Sequence, residues 1–207
     1  MKVITAPASP FGRKVRVAIA ELGLADKVQV EIFPVQELAV RAAPVNPLGK
    51  IPVLIKDDGA TLYDSAVICE YLDGLVGGGR LIPQSGEARL AALQLQALGN
   101  GIGEAATLIG GERGRPEAAR HPPFIEAQSA KIVRAADELE KITEGFPATP
   151  HIGHIAVACA LGYCDFRVPD IDWRKGRPKL AAWFAKMSER PSMAATVFRP
   201  PQPAPAR

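Results

Sequence analysis

Apolar positions along the chain follow two rhythms, and the change between them falls near residue 80. In the first part, short runs rich in Val and Ile alternate with stretches whose apolar residues recur at helical spacing. Residues 3–5 form a short apolar strand. Past Pro7 and Pro10, Val15, Val17, Ala18, Ile19 and Leu22 mark the inner face of a helix that Gly23 stops. Residues 28–33 read as a half-buried strand, with Val28, Val30 and Ile32 inward and Gln29 and Glu31 outward. A short helix or loop occupies 37–43, and 51–55 is a third strand. Asp57-Asp58-Gly59 has the chemistry of a hairpin turn, 61–63 is the return strand, and 65–75 is helical. The order is β-α-β-α-β-β-α. The first strands, joined by a helical crossover, are expected to be parallel, and the hairpin adds an antiparallel edge.

Beyond this point the strand rhythm stops. Gly77-Gly78-Gly79 opens a linker, and Pro83 keeps the preceding helix from continuing through it. Leu90, Leu93, Leu95, Leu98 and Ile102 mark one long helix; Ile125, Ile132, Val133, Ala136 and Leu139 mark another over 124–142. Residues 152–166 are apolar nearly all round, as in the central buried helix of a bundle. A last helix over 180–187 carries Trp183 and Phe184, and no internal repeat is visible. The division is 1–77 as an α/β, thioredoxin-like domain, 78–85 as linker, 86–200 as an all-helical bundle and 201–207 as a proline-rich, extended tail.

Composition narrows the function classes. The 207 residues suffice for one large or two modest domains, and 47% hydrophobic with 23% charged residues is an ordinary globular balance. A net charge of +3, from 25 basic against 22 acidic residues, makes no case for nucleic acid. The densest basic cluster, Arg174, Lys175, Arg177 and Lys179, reads as a solvated helix start. Three cysteines (Cys69, Cys159 and Cys164) in apolar surroundings, without a CxxC pair, suit neither a disulfide framework nor zinc. They read as buried thiols, Cys69 as core. No signal peptide and no membrane-spanning run are expected, which points to the cytoplasm.

Three segments carry candidate chemistry. Ser9-Pro10-Phe11-Gly12 joins the first strand to the first helix, where unpaired N–H groups and the helix dipole favour an anion. A hydroxyl donating to sulfur there stabilises a thiolate; equally, Ser9 is a plain N-cap with Pro10 at the first helical position. In 46–54, a cis Ile51–Pro52 bond would turn the Ile51 backbone outward to pair with an extended peptide, although a simple loop-to-strand proline is commoner. Lys50 beside it either meets a ligand carboxylate or is solvated. Asp64-Ser65 opens a helix: a carboxylate to bind an amine, and a hydroxyl with a helix N-terminus to bind a carboxylate, or an ordinary N-cap.

These segments, in this order and spacing, resemble the glutathione site of the glutathione transferase superfamily, and the resemblance spans essentially the whole chain. Ser9-Pro10-Phe11-Gly12 is similar to the tau-class pattern, whereas the omega class places cysteine at that serine. The resemblance implies that Ser9 stabilises the glutathione thiolate and that Phe11 contributes to the glutathione site. Ile51 before cis Pro52 pairs with the cysteinyl unit, Asp64 and Ser65 hold the γ-glutamyl end, and Lys50 faces a glutathione carboxylate. The thiolate then attacks an electrophilic carbon or a peroxide, in a detoxifying reaction. Glutathione is the co-substrate, no metal or protein-bound cofactor is implied, and a homodimer is expected.

The sequence also departs from the family. Members usually begin the core helix with a Ser/Thr-x-x-Asp capping box, and here His151 and His154 hold those positions. They are either imidazole caps that make the helix pH-sensitive or two surface histidines, with Thr149-Pro150 an alternative cap. Gly99, Gly101 and Gly103 weaken the long helix unless a ligand or backbone approaches there. By resemblance that helix lines the second-substrate pocket, where Gly101 and Glu104 would widen or polarise it. The rivals are a non-catalytic glutathione-binding or stress-related module of the same fold, and a thiol transferase, which needs cysteine in place of Ser9. Isomerase and dehalogenase chemistry stay open.

Overall fold

The computed structural model describes residues 1–198, so the tail at 201–207 lies outside the described residues. The first part runs β1 (Lys2–Thr5), α1 (Pro10–Glu21), β2 (Gln29–Ile32), α2 (Leu38–Arg41), β3 (Val53–Ile55), β4 (Thr61–Leu62) and α3 (Ser65–Gly74), with a 3-10 turn at Val35–Glu37 ahead of α2. The sheet order is β2-β1-β3-β4, with β1 and β2 parallel and β3 antiparallel to both β1 and β4. Val3, Val30 and Leu54 belong to the face packed on α1 and α3; Ile4, Val53 and Phe33 form a smaller cluster with Leu38, Val45 and Ile51.

The turn chemistry at the hairpin is as read: Gly59 has φ of 84°, and Asp58 Oδ1 accepts from the Ala60 N–H at 2.9 Å. Ile32 is not inward. It is 44% exposed, because β2 is an edge strand and Phe33, one residue past its end, takes the buried place beside Ile4.

The second part is helical: α4 (Gly86–Arg113), α5 (Pro122–Ile142), α6 (Ile152–Arg167), α7 (Pro178–Ser188) and α8 (Pro191–Ala194). Twelve of the sixteen residues of α6 are buried, which explains its lack of a polar face. It joins both core clusters: Ile152, Ile155 and Cys159 pack with the sheet side, Val157, Leu161 and Cys164 with α4 and α5. The α4–α6 crossing is a backbone contact. A Cβ on Gly99 would stand 2.6 Å from the Val157 nitrogen, and one on Gly153 would stand 2.7 Å from the Ala92 oxygen.

Two of the apolar residues that mark these helices lie off the buried rows. The inner row of α4 runs through Ala92, Leu95, Gln96, Gly99 and Ile102, and Leu90, out of phase with it, is 60% exposed. On α5 the row is Gln128, Ile132, Ala136 and Leu139, and Val133 beside it is 37% exposed.

The basic cluster is solvated at Arg174, Lys175 and Lys179 but not at Arg177. Arg177 is buried and donates to Asp137 Oδ1 at 2.9 Å and to the Trp173 carbonyl at 3.2 Å. Arg174 forms a two-pronged pair with Asp165 and lies 4.0 Å over the Trp173 ring. A planar guanidinium can donate along its edge and stack on its face at once. Asp73, also buried, ties the linker to α3 by accepting from the N–H groups of Gly79, Arg80, Leu81 and Ile82.

The enclosed N-terminus of α6 needs partners for its free N–H groups. His151 Nδ1 accepts from the Gly153 N–H at 3.1 Å, and His154 Nδ1 accepts from the His151 N–H at 3.1 Å. This is a reciprocal capping box made of imidazoles, each with its proton on Nε2. They are not two surface residues: His154 is 2% exposed and lies 4.5 Å from the Phe146 ring. Burial pushes both imidazoles down, His154 to about 3 with the His151 ring as a lesser cause.

The unfolded chain therefore takes up a proton below about pH 6.5 that the fold refuses until far lower pH, so stability falls as pH drops through that window. At pH 5 the loss relative to pH 8 is about 2 kcal/mol from His154 alone, or several degrees of melting temperature. Thermal melts of the wild type between pH 8 and 5 should show that slope. His151→Ser combined with His154→Asp should flatten it, and an equal slope in the double variant rules the imidazole caps out as its source.

Candidate active site

The β1–β3 register fixes where the three chemical segments meet. Ile4 pairs with Val53 and Lys2 with Ile55, so the exit of β1 toward Ser9 lies at the entry of β3, after Ile51 and Pro52. β4 returns alongside β3 through Leu62 and Leu54, so the chain leaves it at Tyr63 and Asp64 beside that same entry. Ser9, Ile51-Pro52 and Asp64-Ser65 thus share one end of the sheet.

Ser9 is the N-cap of α1. Its Oγ accepts from the Gly12 N–H at 2.9 Å, Pro10 occupies the first turn, and the residue is 9% exposed. The hydroxyl proton has no acceptor among the described residues, so the group keeps a donor to offer. Gly12 has a steric reason: a Cβ there would stand 1.8 Å from Thr5 Oγ1, a buried atom with no hydrogen-bond partner among the described residues. Phe11, half-buried, is in the first turn of α1.

The loop before β3 is held by Asn46, which sequence reasoning passed over. Buried to 2% exposure, it donates from Nδ2 to the Lys50 carbonyl at 2.8 Å and accepts at Oδ1 from the Leu48 N–H at 3.0 Å. The Lys50 side chain is exposed. Ile51–Pro52 is cis, and the Ile51 backbone N–H and carbonyl have no partners among the described residues. The Tyr63–Asp64 bond is also cis.

Asp64 caps α3, its Oδ1 accepting from the Ala66 N–H at 2.9 Å. Ser65 is only 2% exposed, yet its hydroxyl has no partner among the described residues and keeps a small opening to the surface. On α4 it is Gly103, not Gly101, that faces the serine loop: a Cβ on it would stand 3.5 Å from Pro10 Cγ and 3.7 Å from Phe11 Cε1. Gly101 and Glu104 are exposed, and a Cβ on Gly101 would meet nothing within 4 Å.

The thiols take no part. Burial pushes Cys69 and Cys164 up to about 12 and Cys159 to about 11, so all three stay protonated and weakly nucleophilic. Among the described residues, no group of three or more His, Cys, Asp or Glu side chains could hold a metal ion. A concavity of about 590 Å³ lined by Phe146, His154, Trp183 and Met187 lies elsewhere and includes none of the residues above.

Two further side chains escaped the sequence reading. Arg13, 5% exposed, donates to Thr196 Oγ1 at 3.3 Å and the Met193 carbonyl at 3.1 Å, and lies 4.8 Å over the Phe198 ring. Lys14 is 1% exposed and donates to Asn100 Oδ1 at 2.9 Å. The signal was available: cations in the first turns of a helix oppose its dipole and need another reason to be there.

Residues 3–80 match the family model of the glutathione S-transferase N-terminal domain, and 122–186 that of the C-terminal domain. The GST-like protein YibF of Escherichia coli (strain K12) is 32% identical over 203 residues, covering 95% of this chain and 98% of that protein. The chain belongs to the glutathione S-transferase superfamily.

Solved glutathione transferase superfamily members agree in fold. A family member from Pseudomonas fluorescens Pf-5, with bound S-(propanoic acid)-glutathione, superposes with a TM-score of 0.88 at 42% identity over 96% of this chain and all of that one. A glutathione S-transferase from Methylobacillus flagellatus, with glutathione bound, gives 0.84 at 37% identity over 95% and 98%. The thioredoxin-like first half and helical second half are therefore those of the glutathione transferase fold, and among the described residues no helix is long and apolar enough to cross a membrane.

The glycines of α4 separate into two kinds that stability measurements distinguish. Gly99→Ala forces a methyl into the α6 backbone and should cost about 2 kcal/mol or more. Gly101→Ala fills open space on a helix and should gain up to about 1 kcal/mol. Denaturant midpoints of the two variants check this; equal effects would mean that α4 and α6 do not touch at Gly99.

Proposed function

We propose that this superfamily member is a glutathione transferase whose Ser9 hydroxyl holds the glutathione sulfur as a thiolate. One observation carries the reading. Ser9 Oγ accepts the Gly12 N–H and leaves its own proton unclaimed, beside the N-terminus of α1. A free thiol has a pKa of about 8.5, and a donated hydrogen bond together with the helix dipole favours its anion.

The rest of the tripeptide has matching partners. The unpaired Ile51 N–H and carbonyl suit the cysteinyl backbone, as a short strand addition. The Asp64 carboxylate suits the γ-glutamyl amine, while the Ser65 hydroxyl and the first N–H groups of α3 suit its carboxylate. Lys50, exposed at the loop, suits the glycyl carboxylate, and Phe11 walls the site. Glutathione solved in the Methylobacillus flagellatus relative supports the choice of tripeptide.

In the reaction, the thiol proton leaves to solvent and the thiolate attacks an electrophilic carbon. A carbon–sulfur bond forms and the leaving group departs with its electron pair. With a peroxide, sulfur attacks one oxygen, the O–O bond breaks and the other oxygen leaves as an alcohol or water; a second glutathione then reduces the sulfenic acid, giving glutathione disulfide and water. Gly103 and Glu104 on α4 are the proposed neighbours of the second substrate, a small electrophile whose removal is a detoxifying step; Gly101 does not face the serine loop. Three reduced, buried thiols support a cytoplasmic setting.

Two copies are proposed to pair through α3 and α4. Tyr63, Val67 and Leu90 expose apolar surface of 36%, 47% and 60% there, and the Arg89–Glu70 ion pair makes the two helices one continuous face.

Calorimetry should show glutathione uptake by the wild type. Ser9→Ala should keep affinity within about tenfold, move the bound thiol toward its free pKa, and lower kcat/KM for a conjugated electrophile about a hundredfold. Unchanged turnover in that variant removes Ser9 from the mechanism; binding without turnover in the wild type leaves a glutathione-binding module instead. Sedimentation should give a dimer, and Val67→Glu combined with Leu90→Glu should give a monomer. A double variant that remains dimeric places the interface elsewhere.

A further inference from the structure

Lys14 is one of the largest fully sealed side chains in the protein, and it ends in an amine that is charged in water. Its one hydrogen bond is to a neutral group, Asn100 Oδ1 on α4, and no carboxylate lies within ion-pair distance of it among the described residues. An isolated buried charge is among the most expensive features a fold can hold, and replacing it by an apolar side chain commonly stabilises.

The surroundings point to what the charge faces. Asp64 and Cys69 on α3 and Cys159 on α6 are the acidic groups near it. Burial pushes the two thiols up, so Asp64 is the one carboxyl group of the three, and it caps the helix that receives the γ-glutamyl end in the proposed function. On its own helix, Arg13 and Arg16 add positive charge, with Arg13 engaged by the Met193–Phe198 segment. Burial lowers the Lys14 pKa and these acidic groups oppose that. An anion arriving in the groove acts in the same direction as Asp64 and holds the ammonium charged.

We propose that Lys14 is a positioning residue of the glutathione groove: its ammonium, enclosed between α1, α3, α4 and α6, is a fixed positive charge beneath the amino-acid end that favours the anionic ligand and its thiolate. It touches neither, and acts through the field it sets up at low local dielectric. Asn100 keeps Nζ in place without neutralising it, which a carboxylate at that position would do. The inference rests on the glutathione reading, and the experiment separates the two.

The thiolate absorbance of bound glutathione is titrated in the wild type and in Lys14→Met, Lys14→Arg and Asn100→Asp, with unfolding midpoints measured alongside. A unit charge about 10 Å from a titrating group, at an effective dielectric near 20, shifts its pKa by roughly one unit. Lys14→Met should therefore raise the bound thiol pKa by about one unit and weaken glutathione binding, while its unfolding midpoint stays level or rises. Lys14→Arg should keep the wild-type thiol pKa. Asn100→Asp, which pairs the ammonium without deleting it, should raise the thiol pKa as Lys14→Met does, and it carries the test if Lys14→Met fails to fold. A thiol pKa in Lys14→Met, or in Asn100→Asp, indistinguishable from wild type overturns the inference, as does a Lys14→Arg shift equal to that of Lys14→Met. Wild type that binds no glutathione sinks the underlying reading and this inference with it.

Discussion

The antiparallel pairing of β3 with β1 is the constraint on which the functional end of the molecule depends. Three short loops, far apart in sequence, emerge at one end of the sheet only because Ile4 faces Val53 and the hairpin brings β4 back beside it. A slip of one residue would send Val53 and Leu54 to the opposite faces and separate two clusters that each bury one of them. The hydrophobic pattern therefore fixes the register, and the register fixes the groove.

The helix α6 holds the other half of the molecule to that sheet. Its buried positions look in every direction, toward α1 on one side and α4 on the other, so no polar face remains to reveal its orientation. Such a helix must satisfy its first N–H groups internally, and here two imidazoles do so. The backbone contact at Gly99 and Gly153 explains why a long helix tolerates glycine at its centre. What looked like weakness in local propensity is the geometry of a crossing.

A few cationic side chains lie at depth. Arg13, Lys14 and Arg177 are all buried, and the two arginines are surrounded by carbonyl, hydroxyl or carboxylate acceptors. Lys14 differs in having one neutral partner. An arginine's planar fork distributes its charge over several bonds, whereas an ammonium concentrates it at one point. That difference is why the lysine, and not its neighbour, is a source of field for the groove.

The element order, the parallel β1–β2 pair, the hairpin at Gly59 and the buried nature of α6 were legible from periodicity, connections and turn residues; the antiparallel β1–β3 pair was not, because segments distant in sequence set it. The fold's family was legible from three weak motifs in register. Helical phase was less so: Leu90 and Val133 sit in apolar stretches, and only packing decides which row of a helix meets its neighbour. The roles of Asn46, Thr5 against Gly12 and Arg177 were not legible at all, because each depends on an atom supplied by a distant segment or on a loop closed by the fold; for Lys14 only the oddity of a cation early in a helix was legible, not its partner. Sequence by itself determined which segments could be strands, helices and caps, since backbone sterics and apolar spacing act over a few residues. Only the tertiary structure decided which charges are enclosed and which donors stay free, because desolvation and hydrogen-bond pairing are properties of what surrounds a group in space.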